Sequence, residues 1–306
     1  MPGPGLSHDG CLHGAERRPH PARARGPLRG RRVTWSEVPA PAPAELGARD
    51  WLRAARRAVP MAVLVAGGLA LTLALRPVER AVHGARRPWT PHVTRAVCRG
   101  ALRLMGLGRE VAGKPSRDAA AWVSNHVSWL DIFALNANGC VTFLSKAEVA
   151  RWPGIGLLAR ATGTLFVTRD PRRAAQDVAA VRDRIALGQT LVFFPEGTST
   201  DGAQVLAFKP TLFAPFAGQA LTVQPVTLRY EVPGGASDRV YGWWGDMAFG
   251  PHLLRTLALK RHGRVTTIFH PAVAMQDSPD RKTVARALEA QVRAGLAPSG
   301  EERVKL

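Results

Sequence analysis

At 306 residues, 46% of them hydrophobic, the chain can bury a full core, as one large domain or one domain with appendages. Its net charge of +19 calls for an acidic partner or surface, which nucleic acid, anionic lipid headgroups and phosphorylated carriers all provide, so charge alone decides nothing. Cys11, Cys98 and Cys140 form no CxxC pair and the nine histidines form no HExxH cluster, which argues against a disulfide scaffold, a zinc site and metal-dependent chemistry.

Residues 1–45 are rich in Pro, Gly and Arg with almost no apolar periodicity. Such a stretch cannot offset its ordering entropy, so it reads as a disordered basic tail or as sequence upstream of the true start. The texture changes at 58–75, an uncharged run with one hydroxyl, Thr72, preceded by Arg53, Arg56 and Arg57 and followed by Arg76. Its length is close to the ~18–20 residues that cross a hydrocarbon core. Pro60 suits a first helical turn, and Gly67-Gly68 permits close packing. The expectation is a membrane-associated helical segment over 46–100, with a buried core helix or a one-leaflet hairpin as the plainer alternative. Positive residues sit on both sides of the run, so its orientation stays open.

From about residue 101 to 296 the pattern is mixed α/β. Short β-branched runs at 120–124, 141–144, 164–168, 190–194, 221–228 and 265–269 read as strands. Two helical patterns stand out. Val178, Val181 and Ile185 share one face with Gly188 as the stop, and Val284, Leu288 and Val292 repeat between Pro279 and Gly295. Alternating strands and helices predict a mostly parallel central sheet covered by helices. Residues 297–306 read as a polar tail.

The first constellation is Asn125-His126-Val127-Ser128-Trp129-Leu130-Asp131, directly after a predicted strand. Active residues in open α/β sheets gather at such strand ends. A histidine there can take a proton from a hydroxyl, and an aspartate can hold its other ring nitrogen. Five residues on a regular helix point about 140° apart, so the pair meets only if His126 lies in the loop and Asp131 in the first helical turn. Ser128 and Asp131 also have capping-box spacing, a purely structural role that can coexist with the first. The second constellation runs from Phe193 to Gly202. There a strand enters Pro195-Glu196-Gly197-Thr198-Ser199, whose tight turn, amides and hydroxyls suit an anionic group or an ordinary loop.

Together these blocks resemble the glycerolipid acyltransferase family. His126–Asp131 matches its HxxxxD motif and Phe194-Pro195-Glu196-Gly197-Thr198 its second hallmark. Lys146, Pro153-Gly154-Ile155-Gly156 and 163–169 resemble its intermediate block, Phe208-Lys209 its post-loop pair, and Val223-Gln224-Pro225-Val226 its last apolar block. The resemblance implies a lysolipid acceptor, an acyl-CoA or acyl carrier protein donor, no metal and no bound cofactor. It makes His126 the general base and Asp131 its orienter, with Arg169, Glu196, Gly197, Thr198, Ser199 and Lys209 around the acceptor headgroup. Anionic membrane lipids are the expected docking surface.

Two departures bear on the acceptor. Ser199 stands where the family usually has arginine, and Thr168 where it often has an acidic residue. The stretch 195–202 is similar to the branch that acylates lyso-ornithine lipid, as is the Tyr241–Met247 segment, and Asp201 or Asp246 would then meet the ornithine amine. Lysophosphatidate and lyso-ornithine lipid both stay open. From other classes, a basic nucleic-acid-binding protein suits the arginine-rich start but lacks interleaved aromatics or a recognition motif. A serine lipid hydrolase lacks a GxSxG elbow. Among the tryptophans, Trp122 and Trp129 are expected in the core, and some of Trp152, Trp243 and Trp244 at an interface.

Overall fold

The apolar run at 58–75 lies inside one long helix, α1 (Ala48–His83), which turns back through α2 (Thr90–Met105). The computed structural model describes residues 35–41, 45–168, 170–232, 234, 237, 239–277 and 280–297. Most of the expected basic tail, Arg169, Pro279 and the stretch after 297 lie outside the described residues. Because α1 starts at Ala48, Pro60 is interior to it and not in its first turn, as is Pro77. The hairpin is notched by glycine: a Cβ on Gly68 would lie 2.3 Å from Val97 Cγ2, and one on Gly100 would lie 2.7 Å from Leu64. Each helix therefore accepts a side chain of the other where it has none of its own.

Three arginines and one glutamate fix the hairpin. Arg53 and Arg57 donate to the carbonyls of Leu257, Ala258 and Leu259, the unsatisfied end of a later helix, at 2.6–2.9 Å. Arg87 donates to Ala161 O at 2.6 Å. Glu79 is fully buried and accepts from Trp89 N–H, Thr90 N–H and the Thr90 hydroxyl, filling the donor-rich start of α2. The outward face of α1 stays apolar and open. Val63 is 68% and Leu73 51% exposed, and only 11% of the most apolar 18-residue stretch is buried. This is a helix long and apolar enough to cross a membrane, and the chain carries a membrane-associating surface there.

The remaining chain builds β1 (Gly108–Ala112), β2 (Ala119–Ser124), α3 (Leu130–Asn138), β3 (Val141–Lys146), α4 (Ile155–Thr162), β4 (Leu165–Val167), α5 (Ala174–Ala186) and β5 (Thr190–Phe193). It closes with β6 (Thr222–Glu231), α6 (Phe249–Ala258), β7 (Arg264–Phe269), β8 (Val273–Ala274) and α7 (Arg281–Ala294). The sheet order is β1-β7-β6-β2-β5-β3-β4, with β8 on β6. Strands β6, β2, β5, β3 and β4 run parallel, β7 runs antiparallel to β6, and β1 follows β7. All six predicted strands form. The unpredicted β1 is a fully exposed GREVA edge strand, with no buried face to give it an alternating pattern.

The sheet is buried on both faces, which is why its central strand β2 is wholly buried. One face carries Trp122, Leu102, Met105, Leu130, Leu135 and Leu257; the other carries Val123, Phe193, Val181, Val284, Leu288 and Val292. Trp122 and Trp129 are in the core as expected. The connection from β2 leaves toward β3 on one side, and that from β5 leaves toward β6 on the other. The adjacent carboxyl ends of β2 and β5 are therefore the switch point where an α/β sheet opens a crevice.

Candidate active site

Strand β2 hands the chain to the site through Asn125. Its side chain donates to Leu228 O at 2.9 Å and accepts from Leu228 N–H at 2.8 Å, so it continues the pairing with β6 after the β2 backbone has turned away. His126 follows in the loop and Asp131 sits in the first turn of α3, the arrangement that the five-residue spacing requires. Nδ1 of His126 lies 2.7 Å from Oδ2 of Asp131. The same oxygen accepts Val127 N–H at 2.7 Å and Ser128 N–H at 3.0 Å, while Oδ1 accepts the Tyr230 hydroxyl at 2.7 Å. Ser128 Oγ accepts from Leu130 N–H at 3.1 Å, so the helix start is closed from both ends of the Ser128–Asp131 pair. Capping and ring orientation are thus one structure, not alternatives.

Asp131 is fully buried and the His126 side chain 21% exposed. An ionised carboxylate can only accept, so Nδ1 carries the hydrogen and Nε2 keeps a lone pair. The ring lies flat on Phe194, centroids 4.0 Å apart and planes 10° apart, which fixes its tilt. A fixed imidazole with one nitrogen committed and the other available is competent for general-base chemistry.

The second loop packs against the first. Glu196 is 2% exposed and faces inward: Oε1 accepts His126 N–H and Oε2 accepts Leu206 N–H, each at 2.7 Å. Burial pushes its carboxyl up to about 8, against the two amides that pull it down. It clamps two loops together, with both oxygens engaged by the chain's own amides. Thr200 N–H donates to His126 O at 2.9 Å, closing the contact from the other side. Gly197 has φ 75°, and a Cβ there would meet Lys209 Nζ at 2.4 Å, so the turn demands glycine and lays the Lys209 chain along it. Ser199 Oγ donates to the Trp243 carbonyl. Thr198 Oγ1 accepts Trp35 N–H at 3.3 Å. Arg169 lies outside the described residues; Lys146 and Thr168 stand at the ends of β3 and β4.

Three features differ from the sequence reading or were missed by it. Trp35 falls within the segment read as a disordered tail, yet it is 6% exposed, against Trp244, whose indole N–H donates to Val38 O at 2.9 Å. A large aromatic inside a polar stretch was the available signal. Trp244 is consequently buried, whereas Trp152 is partly exposed and meets Trp243 edge-on. Asp201 accepts from Arg239 Nε at 2.8 Å and from Ala203 N–H at 3.0 Å, which ties its carboxylate to its own loop, and Asp246 is exposed. Tyr230 and Asn125 had no periodic or spacing signal, because their roles arise where β6 overshoots β2.

The Acyltransferase family model matches residues 110–229, the span from β1 to β6 that carries both loops. A lyso-ornithine lipid O-acyltransferase of Rhodobacter capsulatus is 49% identical over 264 residues, covering 85% of this chain and 95% of the relative. The chain belongs to the acyltransferase family. This acyltransferase is also 35% identical to a lyso-ornithine lipid O-acyltransferase of Brucella abortus over 76% of its own length and 92% of the relative's. A 1-acyl-sn-glycerol-3-phosphate acyltransferase of Neisseria meningitidis is 31% identical over 66% of this chain and 80% of the relative. The crystal structure of the 1-acyl-sn-glycerophosphate acyltransferase of Thermotoga maritima superposes with a TM-score of 0.58 at 19% identity, covering 84% of this acyltransferase and 97% of that chain, a likeness of fold. The resemblance drawn from HxxxxD and the second hallmark, and the mostly parallel α/β fold, are both borne out.

Proposed function

We propose that this acyltransferase moves a fatty acyl group from a thioester carrier to the hydroxyl of lyso-ornithine lipid, with His126 as general base. The observation that carries the chemistry is the 2.7 Å contact between His126 Nδ1 and the buried Asp131 carboxylate. Nε2 takes the acceptor's hydroxyl proton as its oxygen attacks the thioester carbonyl. The C–O bond forms, the C–S bond breaks, and the imidazolium returns the proton to the departing thiolate. Asp131 stabilises the imidazolium between these two events. The products are the ester and a free thiol, with no acyl-enzyme on the route.

The acceptor assignment rests on the 49% identity to the Rhodobacter capsulatus relative and on Ser199 in place of the family's usual arginine. Gly197, Thr198, Ser199 and Lys209 line the loop beside His126 and form the headgroup end of the proposed site, and the family resemblance adds Arg169 to it. Glu196 acts from behind this loop. Lysophosphatidate is the second reading, favoured by the Lys209 ammonium at the Gly197 turn and by the Neisseria relative. For the donor, acyl carrier protein or acyl-CoA fits the excess of positive charge. The catalytic domain, residues 101–296, would work at the cytoplasmic face of the inner membrane, held there by the outward face of α1 and by anionic lipid.

The test is acyl transfer by purified wild-type and His126→Ala protein with the two lysolipids offered side by side. Product from lyso-ornithine lipid alone, lost in the variant, is the expected result. Product from lysophosphatidate alone would reassign the acceptor, and full activity in His126→Ala would remove the base.

A further inference from the structure

Strand β6 is ten residues long and β2 only six. Their parallel pairing ends at Ser124↔Val226, and the Asn125 side chain extends it to Leu228. Beyond that point the strand paired with β6, among the described residues, is β7, through the antiparallel pairs Tyr230↔Val265 and Glu231↔Arg264. This supported overhang carries Tyr230 past the end of β2 and above the loop of His126. There its hydroxyl reaches Asp131 Oδ1 at 2.7 Å. The two carboxylate oxygens are used differently: Oδ2 serves the imidazole and two amides, and Oδ1 serves the phenol.

From this geometry we propose that Tyr230 is a positioning residue that sets how strongly Asp131 holds the imidazolium during acyl transfer. The inference rests on His126 being the base. A phenol donating to Oδ1 draws negative charge toward that oxygen and away from the one facing the ring. It also stops the carboxylate from rotating about its Cβ–Cγ bond. Burial and the neighbouring Asp131 charge raise the Tyr230 hydroxyl well above its ordinary range, so it remains a donor throughout the working pH range. The ring is seated against Tyr241, whose own hydroxyl accepts Gly263 N–H at 2.8 Å. The other ionisable groups around His126 are Glu196 behind its amide, Lys209 along the Gly197 turn, and Glu289, which acts on Glu196. In the described contacts Oδ1 is met by the Tyr230 hydroxyl, while Oδ2 meets the ring and two amides, so the phenol and the imidazole act on opposite oxygens of the carboxylate.

Tyr230→Phe removes the hydroxyl and keeps the ring. Asp131 then presents more charge to the imidazolium. The acid limb of the pH profile of kcat/KM should move to higher pH by about half to one unit, while the carboxylate, free to rotate without the phenol, holds the ring less firmly and the plateau should fall on the order of tenfold. KM for the lysolipid stays within about twofold, because the described partners of Tyr230 are Asp131, Tyr241 and β7, not the headgroup loop. The chain has only two tyrosines, Tyr230 and Tyr241. Biosynthetic 3-fluorotyrosine in a Tyr241→Phe background therefore places a stronger donor at 230 alone, and the limb should move the other way, to lower pH. This second protein also serves if Tyr230→Phe does not fold. Profiles that superimpose on wild type, or a uniform loss at every pH, would overturn the inference. So would a Tyr230→Phe effect that persists undiminished in an Asp131→Asn background, since the phenol is argued to act through that carboxylate. His126→Ala, run alongside, separates the two claims: activity surviving there sinks the base, while a dead His126→Ala with an unshifted Tyr230→Phe sinks only the role of the tyrosine.

Discussion

Replacing Asp131 by Asn tests the site at the point where fold and chemistry coincide. The amide can turn its oxygen toward Val127 N–H, Ser128 N–H and the ring, and offer its NH2 to the Tyr230 hydroxyl, which can accept as well as donate. The four contacts then survive with one charge removed. The cost to folding should be about 1–2 kcal/mol, a few degrees in Tm, because charge-assisted bonds become neutral ones. Catalysis loses more. An imidazolium and a carboxylate with charge centres about 4 Å apart attract by about 4 kcal/mol at an effective dielectric of 20. The 21% exposure of His126 trims that figure, and the neutral hydrogen bond that remains returns about 1 kcal/mol. The net loss is about 2–3 kcal/mol of stabilisation, realised only while the proton sits on the ring, or roughly a hundredfold in kcat. The assay is ester formation from an acyl thioester and lyso-ornithine lipid in detergent, with thermal unfolding measured on the same preparation. A folded Asp131→Asn enzyme within about fivefold of wild type would refute the reasoning, since the carboxylate would then be a helix cap and nothing more.

Two further outcomes follow from contacts away from the ring. The folded-state value of Glu196 is raised from an ordinary 4.5 to about 8, so its contribution to stability is full below about 4.5 and is lost as pH rises toward 8. Glu196→Gln does not titrate, so wild type should exceed it most near pH 5 and the gap should narrow by up to a few kcal/mol by pH 8; parallel Tm–pH curves for the two proteins would refute this. Gly68→Val places a side chain where even a Cβ would lie 2.3 Å from Val97, which should destabilise the α1–α2 hairpin by about 1–3 kcal/mol, whereas Gly67→Val, with open space at that position, should be near neutral. Proteolysis of the hairpin in detergent distinguishes the pair, and equal protection in both variants would show that the helices do not meet at Gly68.

The parts legible in the sequence were those written in local pattern. Val284, Leu288 and Val292 repeat at helical spacing and are all buried, and the β-branched runs become the buried central strands. His126 and Asp131 were legible because motif and geometry impose the same condition, one residue in the loop and one in the first turn. The remainder depends on distance in the fold. Nothing around Tyr230 marks it, since its partner is 99 residues away and is reached only because β7 prolongs β6. Glu196 reads as a polar loop residue, and its inward turn depends on two amides supplied by His126 and Leu206. Pro60 misled in the opposite sense: proline suits a helix start, but the charged residues from Ala48 onward extend the helix before it, with Arg53 and Arg57 anchored on α6.

The buried Glu79 has a consequence for how the hairpin meets lipid. A chain reversal entering a poorly hydrated layer ordinarily surrenders the water bound to its bare amides, and that loss of several kcal/mol per group keeps most turns out of bilayers. Here the amides of Trp89 and Thr90 are already paired, held by a side chain that travels with them, and Arg76 neutralises the carboxylate at 3.0 Å. The opening of α2 therefore has little hydration left to shed. Wherever this bend met a poorly hydrated layer, it would arrive with two of its amides already paired by a side chain of its own hairpin.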